Sequence, residues 1–378
     1  MTGLQKLMVR SCLVVLATGA LPHAEAATAP VVTVTHVPVR VLAANLSSGN
    51  NQRYEGPGLR IIQALQPDIV AIQEFNYASA GAAGINTSNA FREMVSGHFG
   101  TNFVWFRESG YSIPNGVISR WPITASGSWE DVDTGVNDRG FAWARIDLPG
   151  PDDLYVVSMH LKAGSSDTVR RAAQAAQLKS LVQSNFPANA FVVVAGDCNI
   201  YDAGEAALAT FKSYLSDSPI PADAGGDADT NAGRNERYDY VFPSASLNTN
   251  RVATVLGAQT FANGLVLDTR LFTPSNEMLP ALPGDSGVTG MQHMGVVRDF
   301  RLSVRVTNWV TVPPPMLVLV KTNVVRWAGL SNLTYAVQTS STFSNWTLAG
   351  TATSATTNFF YTNSQPATNW RFFRVLYP

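Results

Sequence analysis

A chain of 378 residues is longer than one ordinary domain requires, so two folded units behind a leader are expected. Hydrophobic residues make up 46% and charged residues 14%, a balance that provides a large core and excludes wholesale disorder. With 26 basic against 27 acidic side chains, the net charge of -1 excludes a long uniformly basic nucleic-acid track but not a local patch.

Residues 1–26 read as a secretory signal peptide. Lys6 and Arg10 form its basic region, Cys12 to Leu21 its apolar region, and Ala24-Glu25-Ala26 its small-residue cleavage pattern. The apolar stretch is too short to favour a membrane-spanning helix, so no stable membrane span is expected. The expected destination is extracellular or periplasmic. Cleavage removes Lys6, Arg10 and Glu25, lowering the net charge from -1 to -2. It also leaves Cys198 as the sole cysteine, which excludes an intramolecular disulfide and reads as a small inward-facing hydrophobe.

Val39 to Ala44 is a strand candidate ending at Asn45. Leu59, Ile62 and Leu65 recur at helical spacing, and Gln66-Pro67-Asp68 stops that helix before a strand from Ile69 to Gln73. Tyr155 to Met159 is another strand. Ser165 and Ser166 are candidate N-caps for a helix through Arg170, Ala173, Gln177 and Leu181. The run Phe191-Val-Val-Val-Ala-Gly-Asp-Cys-Asn199 predicts a strand buried on both faces that ends on polar groups. Asp197 and Asn199 alternate with Cys198, so an extended backbone points them to one side. The stretch from Ala222 to Asn235 reads as a solvated loop. Its Asp223, Asp227 and Asp229 lack the register of a calcium loop. Tyr238 to Phe242 and Val296 to Val304 are later strands.

Pro313-Pro314-Pro315 is a stiff spacer. Beyond it, short strands are expected at Leu317–Val320, Thr334–Thr339, Trp346–Ala349, Asn358–Tyr361 and Phe372–Leu376, the rhythm of a small β-sandwich. Trp327, Trp346 and Trp370 read as core filling, with a glycan-binding face as the alternative. The expected boundaries are 1–26 for the signal peptide, 36–306 for a catalytic domain, 307–315 for the linker and 316–378 for the accessory domain.

Several buried strands run into lone polar groups, Asn45, Glu74, His160 and Asp197 with Asn199, while Asp239 lies inside the run Arg237 to Phe242 and His293 precedes another strand. That recurrence predicts one shared pocket. The residue types suit phosphoester hydrolysis. A carboxylate such as Glu74 can hold Mg²⁺, and one such as Asp197 can take a proton from an attacking water. Imidazoles and amides can donate to oxygens that gain charge in the transition state.

The motifs Val-Ala-Ile-Gln-Glu74, Ser-Met-His160-Leu-Lys, Gly-Asp197-Cys-Asn199, Arg-Tyr-Asp239-Tyr-Val-Phe and Gln-His293-Met-Gly-Val-Val occur in that order. Asn115 to Ile123 adds a central strand segment. From Val39 to Val306 the chain resembles the endonuclease/exonuclease/phosphatase superfamily, the deoxyribonuclease I-like metallohydrolases. The resemblance implies a four-layer α/β sandwich of two packed mixed sheets flanked by helices, with a divalent-metal phosphoesterase site. It makes Glu74 the metal ligand and Asn45 an assistant at the metal or phosphate. His160 would contact the phosphate, Asp197 would orient or deprotonate the water, and Asn199 would position water and phosphate. His293 would stabilise developing charge, oriented by Asp239. Mg²⁺ is the implied cofactor, with Mn²⁺ or Ca²⁺ as alternatives. Glu108 is a candidate partner for His160, as an acidic residue is in some relatives, and Lys162 a candidate rim residue.

One position departs from the family pattern. Gln292 stands where Asp usually precedes the last His, which favours a single metal; Asp285 would replace that charge only if its loop folds back. The expected function is a secreted metal-dependent phosphodiesterase, a nuclease on DNA or RNA, acting as a monomer. A phospholipase C-like or phosphomonoester hydrolase and a catalytically weakened binding protein are the alternatives. The C-terminal unit is expected to bind a surface or polymer, or to space the enzyme.

Overall fold

The computed structural model describes residues 27–49, 52–77, 87–132, 137–312, 317–321, 324–342, 344–364 and 372–376. The expected signal peptide, Pro313–Pro315 and Trp370 lie outside them. In chain order the first elements are β1 (Ala27–Ala44), α1 (Gly56–Leu65), β2 (Ile69–Ile72), α2 (Ser88–His98), β3 (Val104–Arg107) and β4 (Gly116–Ser119). Next come β5 (Ile123–Trp129), β6 (Phe141–Ile146), β7 (Leu154–His160), α3 (Thr168–Asn185), β8 (Phe191–Asp197), α4 (Ala206–Lys212) and β9 (Asp239–Pro243). Then follow α5 (Ala245–Asn248), β10 (Arg251–Val252), β11 (Thr254–Leu256), β12 (Gln259–Phe261), β13 (Leu265–Leu267) and β14 (Gly295–Val312).

Two sheets carry the first unit. One has the order β10-β14-β1-β2-β4-β3, with β13 also paired to β14; the other runs β5-β6-β7-β8-β9. Both are mixed: β1–β2 and β7–β8 are parallel, whereas β2–β4 and β8–β9 are antiparallel. The period-2 geometry of a strand sorts the apolar runs into layers. Val41, Ala43, Ile69 and Ala71 of one sheet face Val156, Val193, Ala195 and Val241 of the other in a shared inner core. Leu42, Ala44, Val70 and Ile72 point outward instead, onto Leu59, Ile62, Phe91 and Val95 of α1 and α2. Val157, Val192 and Val194 do the same against Ala175, Leu178 and Phe211 of α3 and α4. Helices, sheet, sheet and helices make four layers, and strands covered on both faces explain why their sequences read as unbroken apolar runs.

Local chemistry sets the helix ends. Helix α1 carries Pro in its first turn and stops on Gln66, left-handed at φ 48°, whose N–H caps Ile62 O. Pro67 forbids continuation. Helix α3 begins after Ser165 and Ser166 rather than at them. Arg171 Nη1 donates to Lys162 O (3.1 Å) and Gly164 O (2.6 Å), holding that stretch as a loop, and Asp167 occupies the N-cap.

The chain divides into two compact units near Val34 and Arg305–Val306. The C-terminal strands are β15 (Val318–Lys321), β16 (Val324–Ala328), β17 (Thr334–Ser340), β18 (Thr347–Thr353), β19 (Asn358–Thr362) and β20 (Phe372–Leu376). They form two three-stranded sheets, β15-β16-β19 and β18-β17-β20. Trp327, Tyr335, Val337 and Phe359 fill the core of this unit, so Trp327 is core as expected. Strand β16 is an addition to the expected five. Trp346 is partly exposed under Arg374, 4.5 Å from its ring. Among the described residues, no helix is long and apolar enough to cross a membrane.

Candidate active site

Sheet register aligns the polar strand ends. Ala44 pairs with Ile72, so Asn45 and Glu74 leave neighbouring strands at one level. In the second sheet His160 pairs with Asp197, and Asp197 with Asp239, placing three side chains across β7, β8 and β9. Gly196 lets these strands close up, because a Cβ there would meet Met159 O at 2.1 Å and its φ is 137°. Glu74 and Asn199 also hold positive φ, 50° and 47°, uncommon for residues with a Cβ and typical of strained functional positions.

Asn45 joins the two sheets. Its Nδ2 lies 3.1 Å from Asp197 Oδ2, 3.4 Å from Glu74 Oε1 and 3.2 Å from His293 Nε2. Asp197 is fixed by Asn199, whose backbone N donates to Oδ1 at 2.8 Å and whose Nδ2 donates to Oδ2 at 3.1 Å. His293 Nδ1 contacts Asp239 Oδ2 at 2.9 Å. Thr230 Oγ1 donates to the same oxygen at 2.8 Å and accepts from the backbone N of Asp239 at 2.8 Å. Asn45, Glu74, His160, Asp197, Asn199, Asp239 and His293 are all buried.

Charge follows from these contacts. Burial opposes protonation of His293, but Asp239 and Asp197 overcome it and raise its pKa to about 10. Burial raises Asp197 to about 6, with His293 and the Asn199 and Asn45 hydrogen bonds opposing and Asp239 adding to the rise. His160 is held well below its usual value by burial and then by Arg139, whose Nη1 lies 2.5 Å from His160 Nε2. The 3.2 Å approach of His160 to Asp197 is therefore not an ion pair.

A hard divalent cation suits the oxygen set at Asn45 and Glu74. Asn45 Oδ1 is buried with no hydrogen-bond partner among the described residues, since its Nδ2 faces the carboxylates. Among the described residues, the Glu74 carboxylate accepts from neutral donors alone: Asn45, Ser47 and Gln52. Oxygen ligands of this kind are what Mg²⁺ takes. Asp197, Asp239 and His293 also place one ligand atom each within 4.8 Å of one another. His293 has already committed Nδ1 to Asp239, however, so this trio reads better as an oriented imidazole than as a ligand set.

Other expectations are corrected. Glu108 does not meet His160; it accepts from Ser128, Asn115 N and Gly140 N, and Arg139 takes its place. Asp285 does not replace the missing charge at Gln292, because it is buried against Arg60 at 2.5 Å. Gln292 itself is exposed. The Ala222–Asn235 stretch is not a purely solvated loop: Asp223 is buried against Arg234 at 2.5 Å, and Thr230 is fully buried. Arg237, two residues before Asp239, pairs with Asp217 at 2.7 Å, so the charge nearest in sequence does not compete with His293 for Asp239. Cys198, by contrast, is buried as expected, beside Met159 Sδ at 3.9 Å, and burial pushes its thiol pKa up. Thr230, Arg139, Ser47 and Gln52 were not legible as site residues. Arg139 lies two residues before β6, which pairs with the strand ending in His160, and that is the one local hint; Thr230 has none.

Residues 45–275 match the model of the Endonuclease/Exonuclease/phosphatase family, and the chain belongs to that family, whose members are phosphoric ester hydrolases. Solved structures with a similar fold include an endonuclease/exonuclease/phosphatase from Beutenbergia cavernae DSM 12333, 16% identical. The match covers 90% of this chain and 100% of that one at a TM-score of 0.48. The human Nocturnin catalytic domain with bound sulfate anion is 16% identical over 73% of this chain and 98% of its own, at 0.47. D. rerio TDP2 complexed with single strand DNA product is 16% identical over 70% and 98%, at 0.45. No curated protein matches the chain.

Proposed function

We propose that this protein is a secreted, divalent-metal-dependent phosphodiesterase that hydrolyses DNA or RNA. The observation that carries the reading is the convergence of Asn45, Glu74, Asp197 and His293, from four distant segments, on contacts of 3.1 to 3.5 Å about one point. Glu74 and Asn45 would hold Mg²⁺, which supplies charge stabilisation at the phosphate and the leaving oxygen. Asp197 accepts the proton of the attacking water, and Asn199 keeps that carboxylate aimed. His293 donates to oxygen that gains charge, with Asp239 fixing the ring. His160 and Arg139 face the phosphate as neutral imidazole and guanidinium. The single charged ligand at Glu74, with Gln292 exposed, supports one metal rather than two.

Export rests on residues 1–26, and a chain lacking them should remain in the cytoplasm. The proposed catalytic domain is 36–306, with 316–378 an accessory domain that binds a surface or polymer; equal retention after deletion from Thr311 onward would remove that role. Hydrolysis of bis(p-nitrophenyl) phosphate with Mg²⁺ or Mn²⁺, against EDTA-treated protein, tests the activity. Turnover lost in Asp197→Ala supports a diesterase. No turnover with any phosphoester would favour a binding protein.

A further inference from the structure

A row of rings leads away from His293. The Tyr238 ring lies 5.9 Å from the imidazole, and Tyr201 lies 5.0 Å from Tyr238 at an interplanar angle of 58°. Tyr201 is anchored from behind. The Arg171 guanidinium stands 5.2 Å over its ring, and Glu205 binds both Arg171 (2.8 Å) and the Tyr201 backbone N (2.9 Å). Gly164 N also donates to the Tyr201 hydroxyl at 3.3 Å. Arg171 is fully buried, whereas both tyrosines stay partly exposed. Each follows from the site by chain position: Tyr201 is two residues past Asn199, and Tyr238 immediately precedes Asp239.

Two guanidinium groups beside this row are already matched: Arg171 pairs with Glu205 at 2.8 Å and Arg237 with Asp217 at 2.7 Å. Arg139, next to His160, and Lys162, whose carbonyl takes Arg171 Nη1, make a short basic rim rather than a long track. A surface that tracked many phosphates would need free cations, and its affinity would fall steeply with salt. Anchored, partly exposed aromatic rings instead suit stacking of a planar base, which tolerates any sequence.

We propose that Tyr201 and Tyr238 form a stacking subsite for the nucleobase adjoining the scissile phosphate, which makes a short or single-stranded nucleic acid the substrate rather than a long duplex. This rests on the phosphodiesterase reading above.

The test compares a single-stranded tetranucleotide with the same strand carrying abasic residues beside the central phosphate. Cleavage is measured by kcat and KM, and binding separately by fluorescence anisotropy in EDTA. Wild-type protein should prefer the base-bearing strand by about tenfold or more in binding and kcat/KM, the size of one base–aromatic contact. Tyr238→Ala and Tyr201→Ala should shrink that preference severalfold, chiefly through KM, whereas Tyr238→Phe should keep it. Equal binding of the two strands by wild-type protein would overturn the proposal, even if both are cleaved. Loss of the preference in Tyr238→Phe would overturn it too, because the hydroxyl and not the ring would then be in use. If neither strand is cleaved but the base preference in binding persists, the stacking subsite stands and the phosphodiesterase reading falls.

Discussion

Replacing Thr230 by Val removes one buried hydroxyl that ties its loop to the start of β9. Its Oγ1 donates to Asp239 Oδ2 (2.8 Å) and accepts from the backbone N of Tyr238 (2.9 Å) and of Asp239 (2.8 Å). Its backbone carbonyl, which Val keeps, takes Met294 N at 2.7 Å, next to His293. Without the hydroxyl, Asp239 loses a charge-assisted bond and is freer to turn away from His293. A hydrogen bond to a charged group is worth about 1.5–3 kcal/mol. At about 1.36 kcal/mol per decade, full loss of that bond in the transition state lowers kcat roughly 10- to 150-fold. Thr230 is fully buried and so is not placed to touch substrate, and KM should stay within about twofold. The two amides left without this acceptor should also cost about 1–3 kcal/mol each if no other group takes them. The assay is steady-state hydrolysis of bis(p-nitrophenyl) phosphate with Mg²⁺, well below a melting temperature measured in parallel. Thr230→Ser retains the oxygen and should recover most of kcat. A Val variant that is folded and keeps kcat within about twofold of wild type would refute the view that Thr230 positions the Asp239–His293 pair.

Three further outcomes are expected. Arg139→Ala removes the guanidinium beside His160, and kcat/KM should fall by about 10- to 150-fold, the value of a charged hydrogen bond to phosphate; Arg139→Lys should restore only part, and an unchanged rate would exclude Arg139 from the site. Arg171→Ala strands the buried Glu205 carboxylate and should destabilise the fold by about 3–5 kcal/mol, read as a lowered denaturant midpoint; a midpoint equal to wild type would show the pair to be dispensable. Gln292→Asp should lower the Mg²⁺ concentration giving half-maximal rate, and an unaltered metal titration would remove position 292 from the metal's surroundings.

The strands that carry the site were legible because they are buried on both faces, which forces long apolar runs and makes the polar residue at each end conspicuous. Asn45, Glu74, His160 and Asp197 could be singled out on that ground, and the order of the motifs made the family readable. Helix α1 was legible from its period and from Gln66-Pro67. The start of α3 was not, since Arg171 holds Lys162 and Gly164 out of the helix through contacts with no local signature.

The chain's own order of residues was enough for the buried strands and for most of the polar groups at their ends, because burial on two faces leaves a one-dimensional trace; the four-layer architecture was readable only through the family resemblance that the motifs carry. Which group faces which was decided only in three dimensions. Arg139 rather than Glu108 meets His160, Arg60 rather than the site claims Asp285, and Thr230 holds Asp239 from a loop that otherwise looks solvated. Strand pairing brings together segments that are far apart along the chain. A buried charge accepts whatever donor that pairing delivers, and hydropathy periodicity carries no record of it.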